Sequence, residues 1–138
     1  MTQSMHEILL VEDNPGDVRL FKEALKDGAL HARLQVARNG EEAIAYLRGI
    51  GAGAPYPDLV LLDLHMPRKG GLEVLQEIKQ DPVLSSIPVI VLTSSNDPYE
   101  ADRSAELKAD LFITKPTNLS NFRSVVALLE EFCAKREG

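Results

Sequence analysis

Five polar side chains stand where apolar stretches of this sequence end. They are Glu12 and Asp13 after ILLV, Asp63 after LVLL, Thr93 at the end of VIVLT, and Lys115 after LFIT. Carboxylates bind divalent cations, whereas an ammonium group and a hydroxyl group donate hydrogen bonds to phosphate oxygens. If these stretches are strands of one parallel sheet, their carboxyl ends meet at one edge, and the five side chains share a cleft.

The three carboxylates of this set, on Glu12, Asp13 and Asp63, need a compensating charge. At a separation of ~5 Å and an effective dielectric constant of ~20, each pair of carboxylates repels by about 3 kcal/mol. Magnesium suits a site built from oxygen ligands, whereas zinc favours His or Cys side chains. His65 lies two residues after Asp63. We expect its ring to face solvent and its backbone carbonyl to be available to the cation, so the sequence predicts a Mg²⁺ site.

Asp63 is the candidate nucleophile, because a carboxylate can form an acyl phosphate once the charge of the transferred group is neutralised. Lys115 and Thr93 are the candidate phosphate-binding residues. The turn after the first apolar stretch reads EDNPGD, which lacks a glycine-rich phosphate loop and would repel a nucleotide. We therefore expect another molecule to deliver the phosphoryl group. Taken singly, each residue also has an ordinary structural explanation, as a turn cap, a solvated turn residue or a packed strand end.

The elements that must position these side chains alternate regularly along the chain. Strands are predicted over residues 7–11, 34–36, 59–62, 88–92 and 111–113, each followed by a helix. The third is apolar throughout, as expected for a strand buried on both faces, and each buried aliphatic side chain stabilises the fold by about 1.5 to 3 kcal/mol. Five strand–helix units predict an α/β fold with a doubly wound parallel sheet. The strand order 2-1-3-4-5 would place the three carboxylates in one cleft.

Capping residues and apolar spacing predict the helices. Three helix starts are marked by Asn14 before Pro15, Asn39 with Glu42 in a capping-box pattern, and Asp97 before Pro98. The third helix follows Gly70 and Gly71. The last helix carries an apolar stripe at spacings of three and four residues, formed by Leu119, Phe122, Val125, Val126, Leu129 and Phe132, with Leu128 off the stripe.

Composition predicts one globular domain, over residues 5–136. The chain has 138 residues, of which 44% are hydrophobic and 26% charged, with a net charge of -6. This charge argues against binding to nucleic acid or to an anionic membrane. No membrane span or signal peptide is recognised, so a cytoplasmic location is expected. The single cysteine, Cys133, cannot form an internal disulfide, and its place on the last helix predicts a packed thiol.

The chain resembles the receiver domain of bacterial two-component response regulators over nearly its whole length. The resemblance is carried by the acidic pair after the first strand, LLDLHMP around Asp63, VIVLTSS, and a lysine before a proline. It implies a flavodoxin-like (βα)5 fold with strand order 2-1-3-4-5. The long loop before the third strand, the stretch MPRKGGLEVLQEIKQDPVLSSIPVIVLTSS and the lack of an output domain resemble the stand-alone regulators paired with phytochrome histidine kinases.

The family resemblance also implies how the acidic residues act. Asp63 would accept a phosphoryl group from a sensor histidine kinase. Asp13, Asp63 and the carbonyl of His65 would bind Mg²⁺, and Glu12 would hold a water of the cation. Slow autodephosphorylation would follow, with no turnover of a separate substrate, so the chain is not expected to be an enzyme.

The resemblance further implies a switch. Thr93 and Lys115 would contact the phosphoryl group, and Phe112 would rotate inward as Thr93 is drawn toward it. Many relatives have Tyr at the position of Phe112, so signalling through a phenolic hydrogen bond is not expected here. Many relatives have Gly at the helix-ending position of Lys108, where a left-handed backbone would cost about 1 kcal/mol.

Two other functions are compatible with parts of this pattern. A Mg²⁺-dependent phosphatase with an Asp nucleophile resembles this chain, but such enzymes carry a second Asp where this chain has His65. A binding scaffold could keep the fold and act without phosphorylation. We also expect a homodimer through the last two helices and the fifth strand, because a lone receiver needs a surface that transmits its signal.

Overall fold

The computed structural model describes residues 5–49, 56–66, 69–94 and 97–137. In this part of the chain five strands alternate with five helices, and a short 3-10 helix, Leu84–Ser86, precedes the fourth strand. The elements in chain order are β1 (His6–Val11), α1 (Pro15–Asp27), β2 (Ala32–Ala37), α2 (Gly40–Gly49), β3 (Leu59–Leu62), α3 (Gly71–Gln80), β4 (Val89–Thr93), α4 (Pro98–Glu106), β5 (Leu111–Thr114) and α5 (Leu119–Glu137). The predicted alternation is confirmed.

The five strands form one parallel sheet in the order β2-β1-β3-β4-β5. This is the predicted flavodoxin-like, doubly wound arrangement. Because β1 and β3 are neighbours, with Val11 in register with Leu62, the residues that follow the two strands lie side by side. The backbone N–H of Asp63 donates to the carbonyl of Val11 at 3.0 Å and extends this pairing to the end of the strands.

The core lies in two layers, one on each face of the sheet. All four residues of β3 are fully buried, as the apolar stretch predicts. Successive residues of a strand point to opposite faces. Leu9 therefore packs with α2 and α3, whereas Leu10 packs with α1 and α5. The candidate site lies at the carboxyl ends of the strands of this buried sheet.

The predicted helix caps are present. The Asn14 side chain accepts hydrogen bonds from the N–H groups of Gly16 and Asp17, and Pro15 occupies the first helical position. Asp97 accepts from the N–H of Tyr99 in the same way.

The start of α2 differs from the predicted capping box in one bond. The Asn39 side chain accepts from the N–H of Glu42 at 2.8 Å, as expected. The Glu42 carboxylate returns to the N–H of Arg38 rather than to that of Asn39. The returning bond of the capping box is therefore displaced by one residue toward the N-terminus.

Four strands have limits that differ from those predicted in the sequence analysis. β2 covers six residues instead of the predicted three, because backbone pairing with β1 also includes Ala32, Arg33 and Ala37. β1 and β5 differ from the predicted limits by one residue at one end, and β4 is displaced by one residue at both ends. Strand ends are decided by hydrogen bonding to the neighbouring strand, which the apolar pattern reports only indirectly.

Lys108 has a left-handed backbone, with φ 73°. Its N–H donates to the carbonyl of Ala105 and the N–H of Ala109 donates to that of Ser104, both at 3.0 Å. These two bonds form a Schellman motif, which ends α4 in the way that a glycine normally would. The structure thus shows at Lys108 the left-handed backbone for which the sequence analysis gives a cost of about 1 kcal/mol.

Some sequence features lie outside the described residues. They are Pro67, Ser95 and most of the glycine-rich loop before β3. Among the described residues, no helix has the length and apolar composition needed to cross a bilayer.

Candidate functional site

Three carboxylates meet at the carboxyl ends of β1 and β3. Oxygen atoms of Glu12, Asp13 and Asp63 all lie within 4.8 Å of one another. Glu12 and Asp63 are buried, with 3% and 5% of their surfaces exposed, whereas Asp13 is exposed. The structure therefore brings together the three acids that the sequence analysis placed in one cleft.

Lys115 supplies the positive charge of this cluster. Its Nζ lies 2.8 Å from Glu12 Oε1, 3.1 Å from Asp63 Oδ2 and 2.9 Å from Asp17 Oδ2. The lysine is held at its backbone as well, because its N–H donates to the carbonyl of Thr93 at 2.7 Å. One ammonium group thus joins the ends of β1, β3 and β5 to the first turn of α1.

Burial and charge shift two pKa values in this cluster. Burial raises the pKa of Glu12 to about 7; the hydrogen bond from Lys115 opposes this shift, and the charge of Asp63 adds to it. Burial alone would lower the pKa of Lys115, but its hydrogen bonds to Glu12, Asp17 and Asp63 raise it above its usual value. The ammonium group therefore stays charged at neutral pH, whereas burial favours the protonated form of Glu12.

The Asp63 carboxylate is held at both oxygens. Oδ1 accepts a hydrogen bond from the backbone N–H of His65 at 3.1 Å, and Oδ2 accepts from Lys115. The backbone around it is fixed by α3, because the Gly71 N–H donates to the carbonyl of Leu64 at 3.1 Å. A Cβ atom at Gly71 would lie 2.5 Å from the Asp63 carbonyl oxygen, so only glycine allows α3 to start this close to β3.

Thr93 and Phe112 lie on β4 and β5, the two strands that follow β3 in the sheet. Thr93 is fully buried and is the last residue of β4. Phe112 pairs in register with Val91 of β4 and is half-buried against the core layer of α2 and α3. The structure therefore places Thr93 at the same sheet edge as Asp63, with Phe112 on the neighbouring strand.

His65 is positioned by a contact that the sequence analysis did not predict. Its Nε2 lies 3.0 Å from Glu100 Oε1 in the first turn of α4, and about half of its side chain is exposed. The ring is thus turned toward α4. No sequence pattern links Glu100 to residue 65.

Asp17 is the other site residue that the sequence analysis missed. It is an acid in the first turn of α1, a position that by itself indicates only a favourable interaction with the helix dipole. Its contact with Lys115 joins residues 98 positions apart. The available signal was an acid one helical turn after the Glu12–Asp13 pair, but which cation it meets depends on packing between α1 and β5.

The donor set fits a hard divalent cation. It consists of carboxylate oxygens within reach of one ion, and the cluster found among the described residues contains no imidazole or thiolate ligand. Glu12, Asp13 and Asp63 are the residues that would hold the ion. Divalent-metal binding is therefore supported by the geometry of this edge of the sheet.

A family model described as the response regulator receiver domain matches residues 8–127. Response regulator Rcp1 of Synechocystis sp. is 43% identical over 127 residues, which cover 91% of this chain and 86% of Rcp1.

Two solved structures are similar to this chain throughout. The phosphorylated cyanobacterial phytochrome response regulator RcpA superposes with a TM-score of 0.86 at 46% identity and 94% coverage of each chain. The Mn²⁺-bound form of Rcp1 superposes with a TM-score of 0.83 at 43% identity, over 92% of this chain and 93% of that one. With the matched sequence and the shared fold, these findings show that this chain belongs to the response regulator receiver domain family of two-component systems.

Proposed function

We propose that this chain is a phosphorylation switch in which Asp63 accepts a phosphoryl group from a sensor histidine kinase. The observation that carries this proposal is the Asp63 carboxylate itself, buried at the end of β3 and held between the N–H of His65 and the ammonium group of Lys115. A nucleophile fixed in this way loses little conformational freedom on the way to the transition state. We assign one receiver domain to residues 5–136.

The transfer forms one bond and breaks one. An oxygen of Asp63 attacks the phosphorus of the donor phosphohistidine in line, and the phosphorus–nitrogen bond breaks. The electron pair returns to the imidazole nitrogen, and Asp63 carries an acyl phosphate. Lys115 neutralises charge on the transferred group, and the Thr93 hydroxyl donates to one of its oxygens. The protein modifies itself and turns over no separate substrate; slow autodephosphorylation returns the switch to its first state.

Magnesium is the cation that we assign to the acidic cluster. Asp13 and Asp63 would provide carboxylate oxygens, the carbonyl of His65 would provide a further oxygen, and Glu12 would hold a water of the cation. Together with Lys115, the bound cation would offset part of the negative charge of the carboxylates and of the incoming phosphoryl oxygens. The Mn²⁺-bound structure of Rcp1 supports a divalent ion in this class of site.

Thr93 and Phe112 form the switch in this proposal. When Thr93 is drawn toward the phosphoryl group, space opens near β4 and the half-buried Phe112 turns inward. Phenylalanine has no hydroxyl group, so the signal is transmitted by packing alone.

Mass spectrometry tests the phosphoryl transfer. The protein is incubated with Mg²⁺ and acetyl phosphate, and one phosphoryl mass is expected on wild type and none on Asp63→Asn. Asp58→Asn is the matched control, because Asp58 precedes β3 at the opposite edge of the sheet. Unchanged wild-type mass, or modification that survives Asp63→Asn, contradicts the proposal and would favour a binding scaffold.

A phytochrome histidine kinase is the partner that we propose. The support is similarity to RcpA and Rcp1, the first of which is a phytochrome response regulator by its name. Transfer from a phytochrome kinase, measured with and without light, is expected to be faster than transfer from an unrelated histidine kinase. Equal rates from both kinases contradict this assignment and leave phosphorylation of Asp63 itself intact.

A homodimer through α4, β5 and α5 completes the proposal. Tyr99, Leu111 and Leu128 expose apolar surface on these three elements. Sedimentation at micromolar concentration is expected to give the mass of two chains, and Leu128→Glu is expected to lower it. The mass of one chain in both the phosphorylated and unphosphorylated states contradicts the dimer.

A further inference from the structure

β2 is an edge strand with backbone groups directed away from the sheet. Among the described elements it pairs with β1 only. The carbonyls of His31 and Ala37 accept hydrogen bonds from β1, at 2.9 Å each. Because backbone groups alternate in direction along a strand, those of Ala32, Leu34 and Val36 point outward. An unpaired edge of this kind is a template for another strand.

The same three residues line a groove between β2 and α1. Their side chains are half-buried and face the half-buried Val18 and Leu25 of α1. The groove consists of two adjoining hollows of about 530 and 300 Å³, which share Lys22 and Lys26 as lining residues. The residues of β2 whose backbone groups point outward thus also line the apolar groove between β2 and α1.

Positively charged side chains line this groove. Arg19, Lys22, Lys26 and Arg38 are all exposed and line it, although the whole chain carries a net charge of -6. The acids in the lining are Glu23 on α1 and, at one end, Glu12 and Asp13 of the candidate metal site. Away from that site, the groove is thus a positive region on an acidic protein.

We propose that an extended acidic segment of a partner protein binds beside β2 as a further strand. Its backbone would pair with Leu34 and Val36, its apolar side chains would enter the α1–β2 groove, and its carboxylates would meet Lys22 and Lys26. A second copy of this chain is a poor occupant, because two copies would bring the same cations together. The inference goes beyond the phosphorylation switch and does not depend on it.

A synthetic peptide of about seven residues tests this inference, since that length spans an ordinary strand. Its groove-facing positions alternate valine and glutamate, and the remaining positions are threonine. The first control replaces each glutamate by lysine. The second keeps the sequence but methylates the amide nitrogens that would face β2, which removes the donors needed for strand pairing. Binding to the unphosphorylated full chain is measured by fluorescence anisotropy.

The acidic peptide is expected to bind, and each control is expected to bind about tenfold more weakly. Lys22→Glu combined with Lys26→Glu should weaken binding by about tenfold. Lys135→Glu combined with Arg136→Glu changes the charge equally at the last turn of α5 and should leave binding unchanged. Circular dichroism checks that both variants are folded.

Amide hydrogen exchange locates the bound peptide. The N–H groups of Leu34 and Val36 are expected to become protected, whereas those of the opposite edge strand, β5, should not change. Protection at β5 in place of β2, equal binding of the methylated peptide, or no peptide binding overturns the proposal. Binding of phosphatidylserine vesicles without binding of the peptide overturns it in favour of a lipid surface. None of these outcomes bears on whether Asp63 is phosphorylated.

Discussion

Lys115 uses all its hydrogen-bonding capacity within the site. An ammonium group has three N–H donors, and three carboxylates, on Glu12, Asp17 and Asp63, lie between 2.8 and 3.1 Å from its nitrogen. A phosphoryl group on Asp63 would therefore replace one of these partners rather than add to them. Asp17 does not belong to the acidic cluster that would hold the cation. Its hydrogen bond with Lys115 therefore uses an N–H donor that a phosphoryl oxygen could accept from instead.

The first prediction concerns Glu12 and pH. Its pKa is about 7 in the folded protein against an ordinary value of 4.5, so the folded state binds more protons between these values. Without divalent cations, the stabilisation from protonated Glu12 is complete below pH 4.5 and is lost as pH rises to about 7. The loss amounts to at most about 3 kcal/mol. Urea unfolding with a chelator, from pH 4.5 to 7.5, should show this decline.

Glu12→Gln is the comparison that isolates this effect. Glutamine keeps the shape of the side chain and does not titrate in this range. The free energy of unfolding of the variant should therefore fall less than that of wild type over the same pH interval. Parallel curves for the two proteins would show that burial does not control the charge of Glu12.

At the scale of elements, α3 can start close to the end of β3 because residue 71 is a glycine and has no side chain. A Cβ at Gly71 would lie 2.5 Å from both the Asp63 carbonyl oxygen and the Leu64 Cα. Both neighbours are backbone atoms, which cannot swing aside as a flexible side chain can. The start of α3 thus controls where the Asp63 carboxylate stands.

The second prediction follows from this contact. Gly71→Ala should destabilise the protein by about 1 to 3 kcal/mol, as overpacking does, and should slow phosphorylation of Asp63. Denaturant unfolding and the rate of acetyl phosphate labelling measure the two effects. Gly49→Ala is the control, because no heavy atom lies within 4 Å of a Cβ at that helical position. An alanine at residue 71 that leaves both quantities unchanged would contradict the contact.

The third prediction concerns the end of α4. Lys108 adopts a left-handed backbone that glycine adopts without steric cost. Lys108→Gly should therefore raise the free energy of unfolding by about 0.5 to 1 kcal/mol, after the added entropy of the unfolded chain is counted. Lys108→Ala keeps the strain and should give no such gain. Thermal unfolding distinguishes the two variants.

At the scale of the whole molecule, the cation site and the fold are thermodynamically linked. The acids that would bind the cation come from β1 and β3, so the site exists only when the sheet is formed. A ligand that binds only the folded state stabilises the entire chain. When no cation is bound, the carboxylates of Glu12, Asp13 and Asp63 repel one another in the folded state.

The fourth prediction tests this linkage. Magnesium at about ten times its dissociation constant should raise the free energy of unfolding by about 1.4 kcal/mol. Asp13→Asn should abolish most of this gain, whereas Asp58→Asn, at the other edge of the sheet, should retain it. Urea unfolding with and without Mg²⁺ gives the measurement. An equal gain in the Asp13 variant would place the cation elsewhere.

The sequence alone determined the strand–helix alternation and the gathering of Glu12, Asp13, Asp63, Thr93 and Lys115 at one edge. These features depend on local properties: apolar runs form strands, capping residues start helices, and the carboxyl ends of parallel strands meet. The cost of a left-handed backbone at Lys108 follows from the residue type, whereas the structure shows that α4 does end in this conformation. The roles of these residues in phosphoryl transfer stay predictions.

Only the tertiary structure decided which side chains meet across the site and along the edge of the sheet. The Asp17–Lys115 contact joins residues 98 positions apart, and the His65–Glu100 contact joins residues 35 positions apart. Whether such groups touch depends on how closely α1 and α4 pack against the sheet. The positive groove beside β2 arises in the same way, because Lys22 and Val36 belong to different elements. Packing distances are set by the whole core, and no local pattern in the sequence encodes them.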